Sequence, residues 1–138
     1  MMPALLLLVL FGGALAIAVA RRDAAARWLA PAAVLAGLAA AIRVAALQPV
    51  VEWPWWGPHL HPQLAVVGIS RVLVVLVPLI AFPVVLYAGS PASKGPGRSR
   101  LLALLVAFTG AMELVAMAGD FLTLLIGWEL VGACSWAL

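Results

Sequence analysis

The chain has 138 residues, of which 67% are hydrophobic and 9% charged, and its mean hydropathy is +1.20. Soluble domains carry roughly 25% charged and about 45–50% apolar residues. This composition lacks the polar surface that a water-soluble globule needs, and places the chain among integral membrane proteins. Eight Lys and Arg against five Asp and Glu give a net charge of +3; the basic residues are scattered over short hydrophilic gaps rather than along one stripe, which excludes a nucleic-acid-binding surface.

A membrane-spanning helix needs about 20 mostly apolar residues at a rise of about 1.5 Å each. The first such run, residues 3–20, ends in "ALAIAVA", whose Ala-x-Ala pattern matches a signal-peptide cleavage site. No Lys or Arg precedes the run, and Arg21 and Arg22 follow it, the reverse of a signal peptide's charge order. It is predicted to be a retained transmembrane helix. The second run is 28–47, with Pro31 tolerable in its first turn. The third is 64–87, where Pro78 and Pro83 should bend the helix. The fourth is 101–119. The fifth covers 121–138 and is cut off by the chain end. The predicted fold class is all-α: a polytopic transmembrane bundle of about five helices, the last truncated.

The gaps differ in character. "RRDAAAR" and "GSPASKGPGRSR" are basic, and the second is also rich in Gly, Pro and Ser, as a loop is. "QPVVEWPWWGPHLHPQ" has no Lys or Arg but holds Trp53, Trp55 and Trp56. The gaps after helices one and three carry Arg21, Arg22, Arg27, Lys94, Arg98 and Arg100, and those after helices two and four carry no basic residue. The positive-inside rule therefore predicts an N-terminus facing away from the cytoplasm, with the tryptophans at the outer interface.

Few residues can carry chemistry. Glu129 stands in the apolar stretch "LTLLIGWELVGACSW", nine residues after Asp120, which marks the outer end of helix five. Nine residues are roughly 13–14 Å of helix, and half of a hydrocarbon core is about 15 Å, so Glu129 is predicted near the midplane. A charge there costs about 2.5–3.5 kcal/mol on insertion scales. The reading with function is a proton- or ion-relay carboxylate; the plain one is a neutral carboxyl that hydrogen-bonds between helices. Glu113, on helix four across a tight turn, is predicted about 9–10 Å from the outer end, where the two carboxyls could share water or Glu113 could make a purely structural hydrogen bond. Arg71, predicted about 10 Å into helix three, is a candidate partner for Glu113 at matching depth. Arg43, near the end of helix two, snorkels to the interface. His59 and His61 form an H-x-H without a third ligand nearby and read as a solvated pair, so no metal site is predicted. Cys134, the single cysteine, excludes an intrachain disulfide and reads as an inert buried residue. No phosphate loop, cysteine cluster or nucleophile–base arrangement is present, so neither a catalytic residue nor a bound cofactor is predicted for the chain.

The run "AMAGDFLTLLIGWELVGACSWAL" resembles the antiporter-like membrane subunits of proton-pumping NADH–quinone oxidoreductase (complex I), in which a polar turn leads into an apolar helix bearing Trp–Glu. "LVGACSW" looks like the subunit L (chain 5) form, W-E-x-V-G-x-C-S-Y, and "FTGAMELVAMAGD" looks like the helix that precedes the turn. The large subunit of Mrp-type cation/proton antiporters shares the pattern. The resemblance is specific over residues 101–138. It departs from the family at Val67-Gly68-Ile69-Ser70, where members usually read Asp-Gly-(Leu/Ile)-Ser, and at the following Arg71. This keeps open relatives on the same scaffold, such as subunits of inorganic-carbon uptake systems, alongside a small structural membrane protein.

The resemblance implies a full subunit of about fourteen or more helices with two inverted five-helix repeats, in which the glutamate of helix five works with a lysine on a broken helix seven. Of those residues this chain holds the glutamate, as Glu129. The expectations that follow are an N-terminal fragment or incomplete gene model, with residues 1–100 as helices one to three and 101–138 as the start of the antiporter-like domain. No catalysis is expected from it alone. NADH and quinone are used elsewhere in the complex. Its surroundings are the lipid bilayer of the inner (plasma) membrane and the complex's other membrane subunits.

Overall fold

The structure, a computed structural model, describes residues 2–52, 61–91 and 97–138. Trp53, Trp55, Trp56, His59 and Lys94, named above for the outer loop and the basic gap, lie outside the described residues. In chain order the elements are α1 (Met2–Ala20), α2 (Asp23–Leu47), β1 (Val50–Glu52), β2 (Gln63–Ala65), α3 (Ser70–Gly89), α4 (Arg98–Met117) and α5 (Phe121–Ala137). The first four helices are long and apolar enough to cross a membrane, and α5 is a shorter apolar helix of 17 residues. The molecule is an all-α transmembrane bundle, and among the described residues a small two-stranded antiparallel sheet lies at the end opposite Arg21 and Arg98.

α4 is the central element. It packs against α1, α2, α3 and α5, while α1 also packs on α2, and α2 on α3. The core runs through Leu6, Leu10 and Ile17 of α1, Val34 and Val44 of α2, Val74 and Val85 of α3, and Leu102 and Val106 of α4. Membrane helices gain no hydrophobic drive toward each other, so close backbone approach through small residues supplies much of the packing. A Cβ on Gly13 would come within 2.7 Å of the Ala33 Cβ, and one on Gly37 within 2.8 Å of the Leu10 side chain. Those two glycines seat α1 and α2 against each other.

The helix ends shift by two or three residues in α3 and α4, and two helix starts differ more from the sequence expectation. α2 begins at Asp23 rather than at residue 28, because the alanine-rich "DAAAR" is a strong helix former with an acidic first turn. Pro31 is therefore not in the first turn but inside the helix, where it removes the N–H that would ordinarily bond the Arg27 carbonyl. α3 begins at Ser70 rather than 64. Residues 63–65 form β2 instead, paired in register Val50–Ala65, Val51–Leu64 and Glu52–Gln63. Gly68, at φ +55°, then turns the chain into α3.

Each end of the bundle is tied across the chain. At the end holding Arg21, Arg22, Arg98 and Arg100, the Ser99 N–H donates to Asp23 Oδ1 at 2.9 Å. At the other end, the Gly119 N–H donates to the Gln63 carbonyl at 2.8 Å, and Leu64 bridges to Ala118.

Candidate functional site

The turn before α5 sets that helix in place. Asp120 is its N-cap: Oδ1 accepts from the Thr123 N–H at 2.9 Å, and Oδ2 accepts from the Thr123 hydroxyl. Oδ2 also accepts from the Gln63 N–H at 2.6 Å, and Gln63 N–H lies 3.2 Å from Thr123 Oγ1 as well. One carboxylate thus closes the first turn of α5 and holds β2 against it. Partial desolvation pushes the Asp120 carboxyl up. The Thr123 hydroxyl and the backbone N–H groups of Thr123, Gln63 and Leu122 outweigh that effect, so it sits below the usual carboxylate range. The sequence reading took Asp120 only as a boundary marker; the Asp-x-x-Thr spacing was the available signal for its capping role.

From this fixed start, the face of α5 that meets α4 is set by Thr123 and Gly127, both buried, four residues apart. A Cβ on Gly127 would lie 2.8 Å from Val115 Cγ2, so the two helices touch there through backbone. Glu129 is two residues further on, about 200° around a helix of 3.6 residues per turn. It is exposed, on the side of α5 turned away from α4. Leu125, Ile126, Gly132 and Ala133 lie one turn above and below it and are exposed too, so the carboxylate stands alone on an apolar face. A Cβ on Gly132 would meet nothing within 4 Å, which leaves open space beside the carboxylate.

Glu113 has the opposite setting. It is fully buried in α4, and neither carboxylate oxygen has a hydrogen-bond partner among the described residues. It lies four residues before the end of α4, about 6 Å from that end and shallower than the sequence estimate. The proposed sharing of water between the two carboxyls does not fit this arrangement, since Glu113 points into the bundle and Glu129 out of it. The expected Arg71–Glu113 pairing is also not formed. With α3 starting at Ser70, Arg71 is the second residue of the helix rather than a buried one. It is exposed, and its Nε donates to the Ala45 carbonyl at 3.1 Å. Arg43 is exposed near the end of α2, as snorkelling requires. Among the described residues no group of His, Cys, Asp and Glu is arranged to hold a metal ion. Cys134 is a half-buried free thiol on α5.

A bundle of membrane-spanning helices followed by an apolar helix with one outward carboxylate defines a multi-pass membrane protein with an ionisable side chain turned away from the described bundle. No family model matches the chain. It is similar to NAD(P)H-quinone oxidoreductase chain 5 of Synechocystis sp., at 30% identity over 90 residues, which are 64% of this chain and 13% of that protein. It is also similar to F(420)H(2) dehydrogenase subunit L of Methanosarcina mazei, at 33% identity over 70 residues, 51% of this chain and 10% of that protein. Both matches fit the resemblance carried by Trp128-Glu129 and "LVGACSW", that of a stretch of a subunit L (chain 5) protein. The chain spans only about a tenth of the length of these relatives.

Proposed function

We propose that this chain is part of an antiporter-like membrane subunit of a proton-pumping oxidoreductase, and that Glu129 is the residue through which it moves protons. The observation that supports this most directly is the placement of Glu129. A carboxylate in an apolar helix at membrane depth costs several kcal/mol unless something meets it, and α5 turns it away from every helix it packs on. A structural carboxyl that glued α5 to α4 would sit on the Thr123–Gly127 face. Glu129 faces instead toward whatever completes the assembly.

A carboxylate whose proton affinity depends on an approaching cation is a coupling device: with the cation near it releases its proton, and with the cation withdrawn it takes one up. In the complete subunit the cation would be the lysine of a broken helix, as the resemblance implies. Electron transfer from the reduced nucleotide to quinone would occur elsewhere in the complex, and the neighbouring partners would be its other membrane subunits in the inner membrane.

The test is Glu129→Gln in the complete protein that carries this sequence. The amide keeps shape and hydrogen bonding and removes ionisation. Assembly should be intact, and redox-driven proton pumping should fall at least about tenfold, equivalent to roughly 1.4 kcal/mol on the transfer barrier. Glu129→Asp should be milder, since it shortens the reach by one methylene but keeps the acid. Normal pumping by the Gln variant would remove the relay assignment. Transport driven by a cation gradient without any electron donor would replace the oxidoreductase with an Mrp-type or inorganic-carbon uptake system.

A further inference from the structure

At the basic end of the bundle, a groove of about 310 Å³ lies between the start of α2 and the end of α3, lined by Arg27, Trp28, Leu86, Gly89, Ser90 and Pro91. The proton-relay reading makes no use of it. We propose that this groove binds the phosphodiester headgroup of an anionic phospholipid in the adjacent leaflet, with Arg27 as the anion-binding residue.

Four observations converge on that occupant. The Arg27 guanidinium sits over the Trp28 ring, 5.5 Å from its centroid, and forms no ion pair among the described residues. This cation–π contact restrains the guanidinium while leaving its N–H groups for a phosphate, which guanidinium geometry matches with two parallel hydrogen bonds. Trp28 is largely exposed and Leu86 about half so, giving the groove an apolar wall on the bilayer side for the first part of an acyl chain. Tryptophan at headgroup level is favoured for the same amphipathic reason. The Ser90 hydroxyl oxygen is buried without a hydrogen-bond partner among the described residues, and a change of χ1 rotamer would turn it toward a headgroup oxygen. Finally, Arg21, Arg22, Arg98 and Arg100 lie at the same end, joined by the Ser99–Asp23 bond, with Asp23 the one acidic residue there among the described ones. Such a field concentrates anionic lipid.

Pro31 removes the N–H that would bond the Arg27 carbonyl. The end of α3 lies within ordinary van der Waals reach of that carbonyl: a Cβ on Gly89 would stand 3.5 Å from it. This contact between the start of α2 and the end of α3 brings Arg27, Trp28 and Ser90 to one place.

The experiment is native mass spectrometry of the purified full chain in detergent, with added phosphatidylglycerol, phosphatidylcholine or inorganic phosphate. The expected result is retention of phosphatidylglycerol over phosphatidylcholine, reduced about fivefold or more by Arg27→Gln and only partly by Arg27→Lys. Ser90→Ala should give a smaller loss. Arg22→Gln, which removes the same charge outside the groove, should leave the preference near that of the parent. Equal losses from Arg27→Gln and Arg22→Gln would overturn the proposal in favour of diffuse surface charge. Equal retention of both lipids would overturn it outright. Binding of inorganic phosphate that competes fully with the lipid would assign the site to a free anion instead. Thermal unfolding of each variant in phosphatidylcholine separates loss of the site from loss of the fold. Failure here leaves the Glu129 assignment untouched, because that rests on α5 and on pumping.

Discussion

Asp120 does two jobs with one carboxylate, and its charge strengthens both. As N-cap it satisfies donors that the first turn of α5 leaves without intrahelical partners; through Gln63 it fixes the outer hairpin. Asp120→Ala should cost about 0.5–2 kcal/mol in unfolding experiments, the usual range for a lost cap. Asp120→Asn should cost less, because an amide oxygen still caps. The acid dependence follows from the lowered carboxyl: its stabilisation is fully present above the ordinary aspartate range, about pH 3.9. It fades as pH falls toward the lower folded value. Thermal unfolding of parent and Asn variant from neutral to acid pH should show curves that converge as the parent's carboxylate is protonated. Curves that stay parallel would mean that the charge contributes nothing. The presence of Glu129, Glu113 and Asp120 was legible from the sequence because ionisable residues are rare in such a chain. Their environments were not. Around Glu113, α4 is apolar except for Thr109 one turn earlier, too little polarity to show which way the carboxyl points, and the bond from Asp120 to Gln63 joins residues 57 positions apart.

At the scale of elements, the long helices were legible from apolar run length, which is why α1 and α5 match their expected spans closely. The errors fell where an apolar run was not all helix. "QLAVVGIS" is as apolar as a helix start, yet Gln63–Ala65 pairs as a strand and Gly68 takes a positive φ. The glycine was the visible signal, and hydropathy alone hid it. That shift decides the fate of Arg71, which moves from a supposed depth of about 10 Å to the first turn of α3. The contact between α4 and α5 makes a sharper prediction. A side chain at Gly127 would meet Val115 Cγ2 at 2.8 Å and the Val115 backbone nitrogen at 3.1 Å. The nitrogen cannot move aside as a side chain can, so α5 must lift off α4. Gly127→Leu should lower stability by about 1–3 kcal/mol, as overpacking does, and weaken cysteine cross-linking between the two helices. Gly132→Ala on the opposite side, where a Cβ meets nothing, should do neither. Equal behaviour of the two variants would contradict the packing of α5 described above.

For the whole molecule, the distribution of charge between the two ends sets the orientation. Arg21, Arg22, Arg27, Arg98 and Arg100 gather at one end; toward the other end lie Arg43, four residues before the end of α2, and Arg71, at the start of α3. The structure therefore makes the asymmetry smaller than the loop sequences imply, since Arg71 is not an intramembrane residue but an interfacial one. The bias still favours the first end as cytoplasmic, because cytoplasmic segments near helix ends carry the excess of Lys and Arg. The N-terminus and the hairpin tied by Asp120 then face outward, and Arg27 faces the leaflet whose anionic lipids the groove would take. Reporter fusions after Ala25 and Gly97 should read cytoplasmic, and a fusion after Pro62 should read external. Because two arginines oppose the bias, it should also be breakable: replacing Arg21, Arg22 and Arg27 together by Gln removes three of the five described arginines at that end. This triple variant should give a mixed population in which the Pro62 fusion reports partly from the cytoplasm, and adding Arg71→Gln should restore the parent orientation. A triple variant that kept a single external signal at Pro62 would show that charge does not set the orientation of this bundle.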